Sequence, residues 1–283
     1  MNLFTGMSGY KKGYGGLLIG LLAGFAGLVQ AEERSLMELG LGLGAMHQSY
    51  YTGTKQQRDL VYPVPVPIYR GKILRADSRG VRAEVLEEDR YKLDISFDFH
   101  FAVDSDDVDL RRGMNDIDNQ LQTGPSLEIN LFQDERNRWQ LKLPVRFGIG
   151  ISGEGMSDHG ISFAPQLRYR YRLPVESAPW YAYIGAGPKF GNDQSNDVYY
   201  GVATPYATAE RPAYEAEAGY AGYRVSLSLR SWNPDRLWVL FARYDNIGGA
   251  VFNDSPLVET DDNWSVGILY SHIIYRSKRK VER

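Results

Sequence analysis

The chain has 283 residues, with 32 basic and 35 acidic side chains and a formal charge of −3. It has no cysteine, which excludes a disulfide framework and a lipid-modified cysteine anchor. Its 20 tyrosines, 30 glycines and 13% aromatic content favour strands and turns, in a chain of normal size for one all-β domain.

The elements follow in chain order. Lys11 and Lys12 precede an uncharged run, Leu17 to Val29, and a small-residue site at Val29-Gln30-Ala31. That order predicts a secretory signal peptide over 1–31, because the run is too short for a membrane helix. The first strand is predicted at 36–46, where Gly40, Gly42 and Gly44 alternate with larger residues. Segment 55–67 reads as an extended loop or edge entry, since Pro63, Pro65 and Pro67 cannot donate ladder hydrogen bonds. Short strands are expected at 68–75 and 80–86.

From Tyr91 the period becomes two. Tyr91, Leu93, Ile95, Phe97, Phe99, Phe101 and Val103 fall on one face; Lys92, Asp94, Ser96, Asp98 and His100 fall on the other. After a strand at 121–132, Trp139, Leu141, Leu143, Val145, Phe147, Ile149 and Ile151 oppose Arg138, Gln140, Lys142, Arg146 and two glycines. Ile161, Phe163, Leu167, Tyr169 and Tyr171 oppose Ser162, Gln166, Arg168, Arg170 and Arg172. Further strands are expected at 180–190, 213–220, 223–232, 237–246 and 263–275. Side chains alternate across a strand, so each segment has one apolar and one polar surface. Runs longer than the roughly 9–11 residues of a tilted membrane strand separate this pattern from a soluble sandwich.

The predicted fold is therefore all-β: a single antiparallel transmembrane barrel over 32–275, of about twelve strands with ten as the fallback, followed by a basic tail at 276–283. Strict alternation from a periplasmic N-terminus places the long links 104–120 and 191–212 on the periplasmic side. Treating 213–220 as loop reverses them but leaves an odd count, whereas bacterial barrels are even. Trp139, Trp180, Trp232, Trp238 and Trp264 lie near strand ends and are read as an aromatic girdle at the headgroup level.

Five ordered motifs carry a resemblance: PVPIYRG at 65–71, RRGMNDIDNQLQTGPSLEINL at 111–131, YYGVATPYA at 199–207, RPAYEAEAGY at 211–220 and DSPLVETDDNWSVGILYSH at 254–272. Together they resemble the MltA-interacting protein (MipA)/OmpV family of outer-membrane proteins. The resemblance implies functional roles for Arg112, Gly113, Asp116, Ile117, Asp118, Tyr200, Gly201, Val202, Asp254, Ser255 and Pro256. It implies a scaffold in the bacterial outer membrane, linking a lytic transglycosylase to a peptidoglycan synthase. Other members are described as adhesins or porin-like proteins. Where the family tends to close its last strand on an aromatic residue, this chain has His272.

The alternation sends Arg146, Arg168, Arg170, Arg172, Arg224 and Arg230 inward, with Asp94, Asp98 and Glu128 on inward positions of other strands. A structural ion-pair network is one reading; an anion-selective constriction is the other. An enclosed face cannot meet a nucleic-acid duplex. The aspartates between 104 and 118 do not match an EF-hand, so a solvated acidic turn is preferred to a calcium site. His159, beside Ser157 and Asp158, is the nearest approach to a hydrolase site. The expectation is a non-enzymatic scaffold without cofactor or metal. Its partners are outer-membrane lipid and peptidoglycan-processing enzymes. A small-solute or anion channel is the alternative, and an adhesin or barrel hydrolase the next.

Overall fold

The computed structural model describes residues 34–70, 74–77, 80–87, 90–153, 155–175 and 178–281. The expected signal peptide lies outside these described residues. The strands are β1 (Arg34–Ser35), β2 (Met37–Ser49), β3 (Gln57–Arg70), β4 (Leu74–Asp77), β5 (Gly80–Glu87), β6 (Tyr91–His100), β7 (Asn119–Gln133) and β8 (Asn137–Ser152). They continue as β9 (Gly155–Phe163), β10 (Gln166–Arg172), β11 (Trp180–Gly191), β12 (Gly219–Trp232), β13 (Arg236–Asn246), β14 (Asp262–Arg276) and β15 (Lys280–Val281). One α-helix, α1 (Asp193–Tyr200), follows β11.

From β2 to β14 each strand pairs antiparallel with its sequence neighbour, except that β9 and β10 do not pair with each other, and β14 closes on β2 from Val266↔His47 to Arg276↔Glu38. β9 and β10 are two halves of one strand position. β9 pairs with one half of β8 (Val145↔Phe163) and β10 with the other (Lys142↔Gln166). The break falls at Ala164 and Pro165, where proline lacks the ladder donor. The described strands thus make an antiparallel barrel of twelve strand positions.

The two rims differ. Short connections at 134–136, 173–179 and 233–235 share one end, the turn rim, with both chain ends. Links 50–56, 101–118, 192–218 and 247–261 share the other, the loop rim, and the last three are the long ones. Both long links that posed the sidedness conflict thus lie opposite the termini.

Two sequence expectations fail, and they offset each other in the count. Residues 213–220 are loop up to Gly219 rather than a strand of their own. Segment 55–67 is mostly strand: β3 pairs with β2 without interruption from Ser49↔Gln57 to Met37↔Tyr69. The expected strand 68–75 is divided between β3 and β4. The prolines fit because of parity. Arg70 N donates to Leu36 O at 2.8 Å, and Gln56 O accepts from Tyr50 N, so the even-numbered backbone groups of β3 face β2. Pro63, Pro65 and Pro67 are all odd. Their missing donors lie on the opposite edge, and the ladder to β2 loses nothing.

Burial is inverted relative to a soluble protein. Leu43, Leu227, Phe147 and Val266 are about half exposed on the outer wall, while Asp94, Lys92, Gln120, Ser126 and Asp245 are buried. Such a surface is unfavourable in water at roughly 25 cal/mol per Å² of apolar area and is relieved by acyl chains. At the end of β14 a bulge between Ile273 and Tyr275 shifts the register. Ile273 is buried while Ile274 and Tyr275 are exposed, so the bulge supplies the outward aromatic that His272 does not. In the tail β15 pairs with β1, and Ser277 N donates to Met37 O.

Candidate functional site

The inward positions carry a layered charge network. Below the loop rim, the Asp245 carboxylate is approached by Arg224 at 2.8 Å, Lys189 at 3.0 Å and Arg243 at 3.1 Å. Beside it Arg146 lies 3.8 Å from Asp98 and donates to Ser96 Oγ at 3.2 Å. Further along the lumen Lys142 pairs with Glu128 at 3.1 Å. Arg168 donates to Gln166, Arg230 lies over the Tyr183 ring at 4.8 Å, and Arg170 over Tyr181 at 5.5 Å. At the turn rim Glu38 holds Arg70 at 3.1 Å and Arg276 at 3.7 Å. Arg172 is exposed on that rim, its backbone bonded to Arg136. Asp94 is 1% exposed.

The network is denser than the sequence reading. Lys189, Arg243 and Asp245 were missed, although the outward register of Trp238 and Leu240 already turns Arg243 and Asp245 inward. Few charges can be buried in this way without partners, because an uncompensated buried ion costs several kcal/mol.

A second structure fills the loop rim. Tyr51, Val103, Val108, Ile117, Tyr200, Ala216, Ile247, Ala250 and Phe252 form one buried apolar cluster drawn from all four of these loop-rim links. The links after β6 and after β13 arise half a circumference apart. A core that joins them crosses the mouth of the barrel. Phe252 stacks on Tyr200 with ring centres 3.7 Å apart. Short antiparallel bridges, Val103↔Ile117 and Val202↔Tyr214, brace the links.

Residues of the family motifs converge on this cap. Asp116 accepts from Ser105 N at 2.8 Å, Gly113 supplies a left-handed turn (φ 77°), and Ile117 is 3% exposed. Tyr200 OH donates to Thr52 O, and Ser255 Oγ donates to Tyr200 O at 2.7 Å. Gly201 caps α1 through Asp197 O, Asp254 accepts from Tyr214 OH at 2.5 Å, and Pro256 follows in the same link. Asp118 accepts from Ser157 Oγ at 3.3 Å.

Arg112 is an exposed partner of Asp109, whereas the neighbouring Arg111, not singled out from sequence, is the buried hub. Arg111 donates to Ser105 Oγ, Asn115 O and Tyr199 O, joining two links. Burial lowers its pKa from the usual arginine value. Burial raises the Tyr200 hydroxyl and pushes Tyr199 up to about 12, so both remain neutral hydrogen-bond donors. Tyr199 OH reaches Gln120 on the lumen wall at 3.1 Å.

Ser157 and His159 do meet, with Oγ and Nε2 3.0 Å apart. Asp118 contacts the serine rather than the histidine, and His159 Nδ1 makes no hydrogen bond among the described residues. The orienting contact of a nucleophilic triad is missing. Among the described residues no cluster of His, Asp and Glu is arranged to hold a metal ion.

The tryptophans divide between the rims. Trp139 packs on Tyr169 (4.6 Å) and Trp238 on Tyr270 (4.5 Å) near the turn rim, where Trp180 begins β11 and Trp232 ends β12. Trp264 packs on Tyr244 (4.7 Å) at the loop rim.

The chain is similar to an outer membrane channel from Pseudomonas putida F1 (TM-score 0.44, 11% identity, covering 87% of this chain and 98% of that one). It is similar to a bacterial polysaccharide outer membrane secretin (TM-score 0.39, 6% identity, 86% and 99% coverage). It is also similar to a Pseudomonas aeruginosa FadL homologue (TM-score 0.29, 10% identity, 74% and 60%). No curated protein sequence matches it. The family model described as MltA-interacting protein MipA matches residues 41–274. With the closed barrel and its outward apolar belt, that match makes the chain an outer-membrane protein of the MltA-interacting protein MipA family.

Proposed function

We propose that this barrel is a non-enzymatic partner-binding protein of the outer membrane that works with its axial passage shut. The observation that carries this reading is the cap: one apolar core joins links from opposite sides of the loop rim. A barrel built for free diffusion needs an open mouth. The family name supports a partner of the peptidoglycan-cleaving class. Short turns usually face the periplasm, which would turn Asp134–Arg136, Asn233–Asp235 and the basic Lys278, Arg279 and Lys280 toward such a partner. On the opposite face the cap holds a polar cleft of about 560 Å³ lined by Arg111, Asn115, Asp197, Tyr206 and Tyr214.

The test is a pull-down from envelope extract with the detergent-solubilised barrel, beside planar-bilayer recording. The proposal expects enrichment of murein-cleaving enzymes over an unrelated barrel, and no steady unit conductance. Absence of enrichment contradicts it. Stable anion-selective conductance would instead favour the channel reading, which the inward Arg146, Arg168, Arg170, Arg224 and Arg230 support.

A further inference from the structure

One row of inward-pointing residues runs straight across five strands of the wall, each paired with the next: Leu60↔Met46↔Gly267↔Phe241↔Ser228. Outward side chains flank it in two parallel rows. The row nearer the loop rim runs from Asp59 and His47 through Val266 and Ala242 to Leu227. The row nearer the turn rim runs from Val61 and Ala45 through Ile268 and Leu240 to Leu229. Between the two rows lies a groove of about 620 Å³, lined entirely by described residues. Ala45 and Ala242 keep it wide, while Leu227, Val61 and Val266, each about half exposed or more, raise its sides.

The groove is tilted. Its β2–β3 end lies close to the loop rim, since His47 and Asp59 stand near Ser49 and Gln57, where those strands meet their link. Its β12 end lies close to the turn rim, since Leu229 stands near Trp232. Five strands spaced roughly 4.8 Å apart make it about 20 Å long. A hydrocarbon core is about 30 Å thick, so an acyl chain of one leaflet, lying aslant, fits that length.

The loop-rim end is polar. His47 Nδ1 lies 2.7 Å from Asp59 Oδ1, and His47 Nε2 meets Gln57 Oε1. Both members of the pair point away from the lumen, with side chains 48% and 82% exposed. Ionisable groups on a lipid-facing wall are costly in hydrocarbon and tolerated at the headgroup level. Trp264, the next outward residue of β14 beyond Val266, packs on Tyr244 and marks that level. Asp262 accepts from Tyr244 OH at the same rim. Two carboxylates at this corner attract an ammonium group and repel a bare anion. The rest of the groove is apolar. A polar head beside Asp59 and a single tail descending toward β12 is the plan of one lipid.

We propose that this groove is a binding site for a single lipid whose headgroup carries a primary amine. The ammonium donates to Asp59, whose carboxylate His47 orients, and one acyl chain lies between the two outward rows. Phosphatidylethanolamine is the simplest lipid of that chemistry. The site lies on the outer wall, so it goes beyond partner binding and stands or falls separately from it.

The absence of native cysteine permits a direct test. Leu43→Cys places a fluorophore on the outward residue of β2 next to Ala45, outside the groove. Phe147→Cys places one outward on β8, across the barrel. The labelled barrels are folded into phosphatidylcholine vesicles containing dibrominated phosphatidylethanolamine, phosphatidylglycerol or phosphatidylcholine as quencher. At position 43, half-maximal quenching is expected at an about tenfold lower mole fraction of the ethanolamine lipid, the worth of one charge-assisted hydrogen bond. At position 147 the three lipids should quench alike. Asp59→Asn should abolish the preference at 43, and Ala242→Phe, which obstructs the groove, should remove most of it. Equal quenching by the three lipids at 43 overturns the proposal. So does preference for phosphatidylglycerol, or a preference that survives both substitutions. Shielding of position 43 that grows with the protein-to-lipid ratio assigns the groove to a second copy and overturns it too. Heat-dependent gel mobility verifies folding of each variant; Asp59 is exposed, so its replacement leaves the barrel intact.

Discussion

The cap and the wall are built by opposite rules from one chain. In the cap, Phe252, Ile247, Leu257 and Val108 are fully buried and Asp109, Arg112 and Asp116 are exposed, with Arg111 as a buried, hydrogen-bonded exception. In the wall, leucine and phenylalanine point out and aspartate, arginine and lysine point in. The difference follows from the solvent each surface meets. The cap contacts water and must hide apolar area from it. The wall contacts acyl chains, gains nothing by hiding apolar area, and must pair or enclose every charge.

Substitutions can break this comparison by region. The largest effects are expected where each rule is most concentrated. Asp245→Ala leaves three cations around an empty position and should destabilise the wall by about 3–5 kcal/mol, read as a lowered unfolding midpoint in detergent. Phe252→Ala removes the ring stacked on Tyr200 and should destabilise the cap by a similar amount, about 3–5 kcal/mol. Its signature is different: the long links become protease-sensitive while the barrel keeps its heat-dependent gel mobility. If both variants lose cap and barrel together, the two regions are not separable units.

A smaller effect separates the solvents. Leu227→Arg on the outer wall should cost about 2–4 kcal/mol when refolding is measured in vesicles, because the charge faces hydrocarbon. Within the cap, Arg111→Met strips hydrogen bonds from Asn115 O and Tyr199 O and should cost about 1–3 kcal/mol, seen as faster amide exchange in 101–118 and 192–218. Arg112→Ala is the quiet neighbour. It loses only an exposed pair with Asp109, so a change below about 1 kcal/mol is expected. Reversal of the last two would move the hub of the cap to the other arginine.

The wall was more legible in the sequence than the cap. Two-residue alternation needs only a strand and two unlike media, and it displays the wall in β6, β8 and the β9–β10 position without tertiary information. The misreadings came where a local rule met a neighbour. Alternating prolines suggested a loop, but whether proline breaks a strand depends on which neighbour its nitrogen faces. Segment 213–220 is expected as a strand, yet Tyr214 and Ala216 belong to the cap, where Tyr214 bridges to Val202. Arg111 and Arg112 are indistinguishable in sequence. Only the packing of links far apart along the chain buries one of them. Trp264 looked like its four counterparts because rim identity depends on strand direction, not on position near a strand end.

Single cysteines along β12, carrying nitroxide labels in a phospholipid bilayer, give the most direct test. At positions 223 to 230, exclusively odd-numbered labels should collide with lipid-dissolved oxygen, and even-numbered ones should be shielded from it. Uniform accessibility along the strand, or odd-numbered labels that collide with a water-soluble relaxant instead, would contradict a wall whose apolar face meets acyl chains.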